Sequence, residues 1–189
     1  MAERLAVGIC GATGAIYGIR LLEVLRTAPE VETHLVISKA AERTIGWETS
    51  FTVEQVGQLA TARYAPGDIG AALSSGSFHT AGMVIAPCSV KTLAAIAHGF
   101  SDNLITRAAD VTLKEQRRLV LVVREAPLNL VHIRNMAACA EMGAIIVPPV
   151  PAFYNHPKTI DDIVNHTVGR VLDLFSIDSG LVKRWEGMR

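Results

Sequence analysis

Residues 5–18 read Leu-Ala-Val-Gly-Ile-Cys-Gly-Ala-Thr-Gly-Ala-Ile-Tyr-Gly, and they constrain the fold more than any other stretch. The first six are an apolar run broken only by glycine, the pattern of a strand buried on both faces. Residues 16–27 then carry helical periodicity through Ile19, Leu22 and Leu25, with Leu21 beside them. A buried strand, a glycine-rich loop and a helix start, in that order, open a β-α-β unit. Such glycines let a backbone approach a phosphate closely, and the helix start offers free N–H groups. Thr13 adds a hydroxyl. The glycines depart from the G-x-G-x-x-G spacing of dinucleotide sites. The second strand, 32–38, ends in Ser38-Lys39 rather than in an acid that would hold an adenosine ribose. Both features favour a mononucleotide or flavin over NAD. The competing reading is that the glycines serve only tight strand–helix packing.

The rest of the chain continues the alternation. Helices are expected at 39–48, 53–60, 67–74, 89–97, 103–114, 128–142 and 160–175. Strands are expected at 82–87, 119–123 and 144–147, with a further strand or loop between the helices at 53–60 and 67–74. Thr159-Ile-Asp-Asp162 reads as a capped helix start. Alternating β and α segments predict a parallel sheet covered by helices on both faces. No linker or repeat interrupts residues 1–189, so one domain is expected. Eighteen basic residues balance eighteen acidic ones, which disfavours a nucleic-acid partner. The apolar runs are strand-sized, so no membrane insertion is expected. Mean hydropathy is nonetheless +0.31, a surplus compatible with surface buried between subunits. Three cysteines without a pairing pattern and the lack of a signal-peptide pattern point to a cytoplasmic protein with reduced thiols. The six histidines lack metal-ligand spacing, so no metal is expected.

Three later loops gather polar groups where strands end. Pro87-Cys-Ser-Val-Lys-Thr92 places two hydroxyls and an ammonium at a helix start outside a strand's carboxyl end, where open α/β sheets bind ligands. Cys88, in that segment, reads as a packed thiol rather than a nucleophile. Arg124-Glu125 follows five apolar residues and is either an anion contact or a structural ion pair. Pro148-Pro-Val-Pro-Ala-Phe-Tyr-Asn-His-Pro157 is a stiffened loop carrying Phe153 and Tyr154, either a cover for a planar ligand or a hydrophobic plug. Arg107 and Lys114 lie about two turns apart on one predicted helix. Glu48, Arg170 and Trp185 carry little meaning by spacing alone.

Eight segments in order resemble the flavin prenyltransferases, the UbiX and Pad family once described as aromatic acid decarboxylases. They are Gly11-Ala-Thr-Gly-Ala-Ile-Tyr-Gly18, Ser38-Lys-Ala-Ala41, Ser75-Gly-Ser-Phe78, Ala86-Pro-Cys-Ser-Val-Lys-Thr-Leu93, Arg107-Ala-Ala-Asp-Val-Thr-Leu-Lys-Glu115, Leu119-Val-Leu-Val-Val-Arg-Glu125, Pro148-Pro-Val-Pro-Ala-Phe-Tyr154 and Arg184-Trp185. The resemblance covers nearly the whole chain. It implies a three-layer Rossmann-like or flavodoxin-like domain that binds FMN. It also implies transfer of a dimethylallyl group from dimethylallyl monophosphate to N5 and C6 of reduced FMN, without metal. The product would serve a UbiD-type decarboxylase in ubiquinone or phenolic acid metabolism.

Carried over by motif, the FMN contacts would be Gly11, Ala12, Thr13, Ser38, Ser89, Val90, Lys91, Thr92 and Arg124. Tyr154 and Arg170, with Lys114 nearby, would hold the prenyl phosphate. Glu48 and Glu125 would be the acid–base candidates, and Trp185 would border the active site. Threonine at position 13 replaces the serine of many members and keeps the hydroxyl while adding a methyl group. The resemblance further implies a homo-oligomer, commonly a dodecamer, with active sites at subunit boundaries. Two other readings are an FMN-binding accessory subunit of an aromatic acid decarboxylase and a flavin-dependent cysteine decarboxylase. The clamp motif of the latter group is not found in the sequence.

Overall fold

A computed structural model describes residues 3–182, 184 and 187. Six parallel strands form one sheet: β1 (Glu3–Ile9), β2 (Val31–Ile37), β3 (Ala62–Tyr64), β4 (Gly82–Cys88), β5 (Arg118–Val123) and β6 (Ile145–Ile146). Their spatial order is β3-β2-β1-β4-β5-β6. Seven helices join them among the described residues: α1 (Ala15–Leu25), α2 (Lys39–Glu48), α3 (Val53–Gly57), α4 (Val90–Ala97), α5 (Leu104–Lys114), α6 (Leu130–Glu141) and α7 (Ile160–Asp173). The strand order runs outward in both directions from β1 and β4. A crevice therefore opens above their carboxyl ends, where the connections diverge.

Alternation along β1 divides the core. Leu5, Val7 and Ile9 point to the face covered by α1, α2 and α7, while Ala6 and Cys10 join the face covered by α4, α5 and α6. On the first face the α1 residues Ile19, Leu22 and Leu25 are fully buried. Each such side chain contributes roughly 1.5–3 kcal/mol when buried. The α/β class, the parallel sheet and the covering of both faces agree with the expectation from sequence.

Gly18 decides how closely α1 lies on the sheet. A Cβ there would collide with the Ala86 carbonyl oxygen of β4 and crowd Ile9. Backbone oxygen cannot swing aside, so the helix would have to lift. Gly18→Val is expected to cost roughly 3 kcal/mol of stability, read as a lower urea midpoint. An unchanged midpoint would show that α1 is not pinned there.

Most element ends fall within a residue or two of expectation. The Thr159 cap is present, with Thr159 Oγ1 accepting from Asp162 N at 3.1 Å and Asp162 Oδ2 accepting from Thr159 N at 2.9 Å. Two expectations are corrected. The helix expected at 67–74 is a loop ending in a short 3₁₀ turn at Ala72–Ser74. Asp68 Oδ1 accepts from Gly70 N at 3.2 Å, a local turn that competes with helical bonding. The helix expected at 53–60 stops at Gly57, and the segment after it pairs with β2 as β3.

Candidate active site

Three helices begin around the crevice. Ser38 caps α2, its Oγ accepting from Ala41 N at 3.1 Å. Ser89 caps α4, accepting from Thr92 N at 3.3 Å. Asn103 caps α5, its Oδ1 accepting from Ile105 N and Thr106 N at 3.0 and 3.2 Å. All three caps line one cavity of about 570 Å³, together with Gly11, Lys39, Lys91, Thr92 and Asp102. Each helix start presents backbone N–H groups without intrahelical partners and the positive end of a dipole. Three of them with two lysines form an anion cradle. Asp102 balances the mouth, 3.9 Å from Lys91.

Five of the predicted cofactor contacts (Gly11, Ser38, Ser89, Lys91 and Thr92) meet in this cavity. Gly11 is required by the site's shape, because a Cβ there would collide with Ala40 on the first turn of α2. Lys39 is also a residue that the sequence singles out. Pro66, Gly67, Asp102, Asn103 and Ile105 were missed as lining residues. The Pro66-Gly67 pair is itself a loop signal, and Asn103 immediately precedes a periodic segment as a cap does.

The expectation for α1 is revised. Its first N–H groups are not open to a ligand. Glu48, at the last turn of α2, turns back so that Oε2 accepts from Gly14 N at 2.7 Å and from Ala15 N at 3.3 Å. The carboxylate occupies the place that the glycine loop would otherwise offer to phosphate. The cavity lined by the starts of α2, α4 and α5 lies one helix away. Thr13 is exposed and Ala12 half-buried in the adjoining loop, and Val90 is the half-buried first residue of α4; none of the three lines the cavity. Glu48 faces a second, more open cavity with Arg43, Thr44 and the exposed Trp47. Ala40 borders both.

Arg124 stands at the carboxyl end of β5, its backbone N–H donating to Cys88 O at 3.1 Å. Its guanidinium acts on Tyr17 of α1, whose hydroxyl pKa burial raises while Arg124 lowers it. Glu125 Oε1 accepts from Ala126 N at 3.0 Å. Cys88 is fully buried, and burial with Cys10 and Cys139 nearby raises its thiol pKa well above the ordinary value. It is a protonated core thiol.

The phosphate-donor residues are not brought together within one chain. Lys114 ends α5, paired with Glu115, on the face of the sheet lined by α4 and α6. Arg170 lies on α7, across the sheet, and bonds Asp173 at 3.0 Å. Arg184 reaches the same Asp173 at 3.1 Å. Tyr154 belongs to the α7 side, its ring meeting His166 edge-on at 5.9 Å. Arg107 is engaged by Asp110 at 2.6 Å. Trp185 lies outside the described residues.

Comparisons with known proteins agree with this geometry. The flavoprotein family pattern matches residues 2–172. Flavin prenyltransferase UbiX of Escherichia coli (strain K12) is 57% identical over 98% of this chain and 99% of its own. A crystal structure of AnUbiX (PadA1) in complex with FMN and dimethylallyl pyrophosphate superposes with a TM-score of 0.98, at 51% identity over 100% of both chains. A dodecameric FMN-dependent UbiX-like decarboxylase from Escherichia coli O157:H7 superposes with a TM-score of 0.97, at 54% identity over 98% of this chain and 100% of that one. No helix among the described residues is long and apolar enough to cross a membrane. With the ordered motifs, the switch-point cavity and these likenesses together, the chain belongs to the UbiX-type flavin prenyltransferases, within the flavoprotein family.

Proposed function

We propose that this chain moves a dimethylallyl group from dimethylallyl monophosphate to N5 and C6 of reduced FMN, for use by a UbiD-type decarboxylase. The observation that carries this reading is the convergence of three helix amino ends on one cavity beside an exposed carboxylate. The cradle suits the FMN phosphate: Ser38, Ser89 and Thr92 offer hydroxyls, and Lys39 and Lys91 offer charge. Gly11 keeps the wall low where a side chain would fill it. Bound reduced FMN supplies the nucleophilic positions that accept the prenyl group.

The residues around it divide the remaining tasks. Glu48 Oε2 is held by two N–H groups of α1, which leaves Oε1 to exchange a proton, as general acid–base work requires. Thr13 and Arg124 border the same region, and Glu125 is the second acid–base candidate. Breaking the donor's allylic C–O bond places negative charge on the departing phosphate. Lys114, Arg170 and Tyr154 stabilise that charge, and a preorganised cation cluster favours the transition state over the ground state. Because the sheet separates Lys114 from Arg170, these groups meet only when different subunits supply them. A homo-oligomer such as a dodecamer provides that arrangement. Its exposed apolar side chains, including Val150, Phe153 and Ile160, give it surface to bury. We place the protein in the cytoplasm, where its three free cysteines stay reduced.

Anaerobic incubation with reduced FMN and dimethylallyl monophosphate tests the reaction. The expected result is a flavin heavier by one prenyl group in the mass spectrum, formed without added metal. A flavin of unchanged mass overturns the reading. An accessory FMN-binding role is disfavoured by identity above 50% to enzymes of this activity across the whole chain.

A further inference from the structure

Cys10 lies beneath the floor of the anion cradle, at the carboxyl end of β1, and it is 1% exposed. Its backbone N–H donates to Pro87 O at 3.2 Å, tying β1 to β4 where the crevice opens. The sulfur is 3.2 Å from Thr92 Oγ1. Thr92 Oγ1 also accepts from Ser89 Oγ at 3.2 Å, and Ser89 Oγ in turn accepts from Thr92 N. Both hydroxyl residues line the cavity, whereas Cys10 does not.

Donor accounting limits the directions open to this cluster. A threonine hydroxyl has one hydrogen and two acceptor sites. Ser89 fills one acceptor site of Thr92. Across the 3.2 Å contact either the sulfur or the threonine oxygen can be the donor. Desolvation by burial pushes the thiol pKa up, which keeps the thiol hydrogen in place. If the thiol donates to the second acceptor site of Thr92, the threonine hydrogen must point elsewhere. The remaining direction is the cavity, where an anion needs donors.

We infer that Cys10 is a positioning residue: its S–H fills the last acceptor site of Thr92 and so turns the Thr92 hydroxyl hydrogen toward the phosphate of the bound flavin. The inference rests on the FMN reading above. A buried thiol without this role would be a small apolar filler, for which alanine is a tolerable substitute.

Equilibrium binding of FMN and of riboflavin, which lacks the phosphate, tests it in the wild type, Cys10→Ala and Cys10→Ser. Losing one directed hydrogen bond to an anion is expected to weaken FMN binding about fivefold to tenfold in Cys10→Ala, with riboflavin binding unchanged. Cys10→Ser retains a donor and should restore FMN binding. Equal weakening of both ligands in Cys10→Ala would show mere packing and overturn the inference, as would a Cys10→Ser variant no better than Cys10→Ala. If wild type fails to bind FMN, the cofactor reading itself falls, a distinct outcome. A measurement independent of variant folding is the infrared difference spectrum of wild type with and without FMN. The S–H stretch of one thiol should shift on binding, since Cys10 alone of the three touches the cradle's hydroxyls; no shift contradicts the relay.

Discussion

Glu48→Gln lowers prenyl-transfer turnover by about 10²–10³-fold and leaves FMN affinity essentially unchanged. The separation follows from the two duties of this side chain. Its Oε2 accepts from Gly14 N and Ala15 N, which holds the start of α1. A glutamine oxygen still accepts both bonds, so the cap survives with only the charge–dipole part lost, about 0.3–1 kcal/mol. Proton exchange does not survive, because an amide neither releases nor accepts a proton usefully near neutral pH. The FMN phosphate cradle lies at the starts of α2, α4 and α5, away from the substituted group. Steady-state turnover by mass spectrometry and FMN titration measure the two effects separately. Unimpaired turnover removes Glu48 from the chemistry. Lost FMN binding would instead place the carboxylate in the cofactor cradle.

Two inactive variants, Lys114→Met and Arg170→Met, recover activity when their subunits are mixed and reassembled. Each variant alone is expected to lose at least 10²-fold in turnover, because each removes a cation from the departing phosphate. Lys114 ends α5 on one face of the sheet, and Arg170 lies on α7 across it. Within one chain the two cations are engaged separately, by Glu115 and by Asp173. If each site takes its lysine and its arginine from different subunits, random assortment rebuilds about a quarter of the sites. Denaturing the two variants together, refolding and assaying the mixture gives the number. Activity that stays at the level of the separate variants would mean that one subunit supplies both residues.

Much of this arrangement was legible in the sequence because local rules governed it. Residues 5–10 were readable as a buried strand from apolar continuity, and Thr159 as a cap from its partner three residues on. The helix expected at 39–48 has those bounds in the structure. The cavity residues after β1, β2 and β4 were readable because parallel sheets place such loops at one edge. What escaped was non-local. Nothing near Glu48 in sequence indicates that it bonds Gly14, thirty-four positions away. Only the fold shows that this carboxylate takes the donors of the glycine loop. Gly18 likewise looked like part of a phosphate motif, whereas it is required by the Ala86 carbonyl. Residues 67–74 looked helical by apolar spacing, but the Asp68 turn and two glycines prevailed over that weak signal. The separation of Lys114 from Arg170 depends on which face of the sheet each helix covers, and spacing along the chain carries no such information.

A crystal of the assembled protein soaked with FMN and dimethylallyl monophosphate shows where the flavin phosphate binds. The position of the flavin phosphorus is the quantity to measure. It should lie within hydrogen-bond reach of the Ser38, Ser89 and Thr92 hydroxyls, with Glu48 still bonded to the start of α1. Density for that phosphate at the Gly14 and Ala15 amides, with Glu48 displaced, would place the phosphate site at the start of α1 instead.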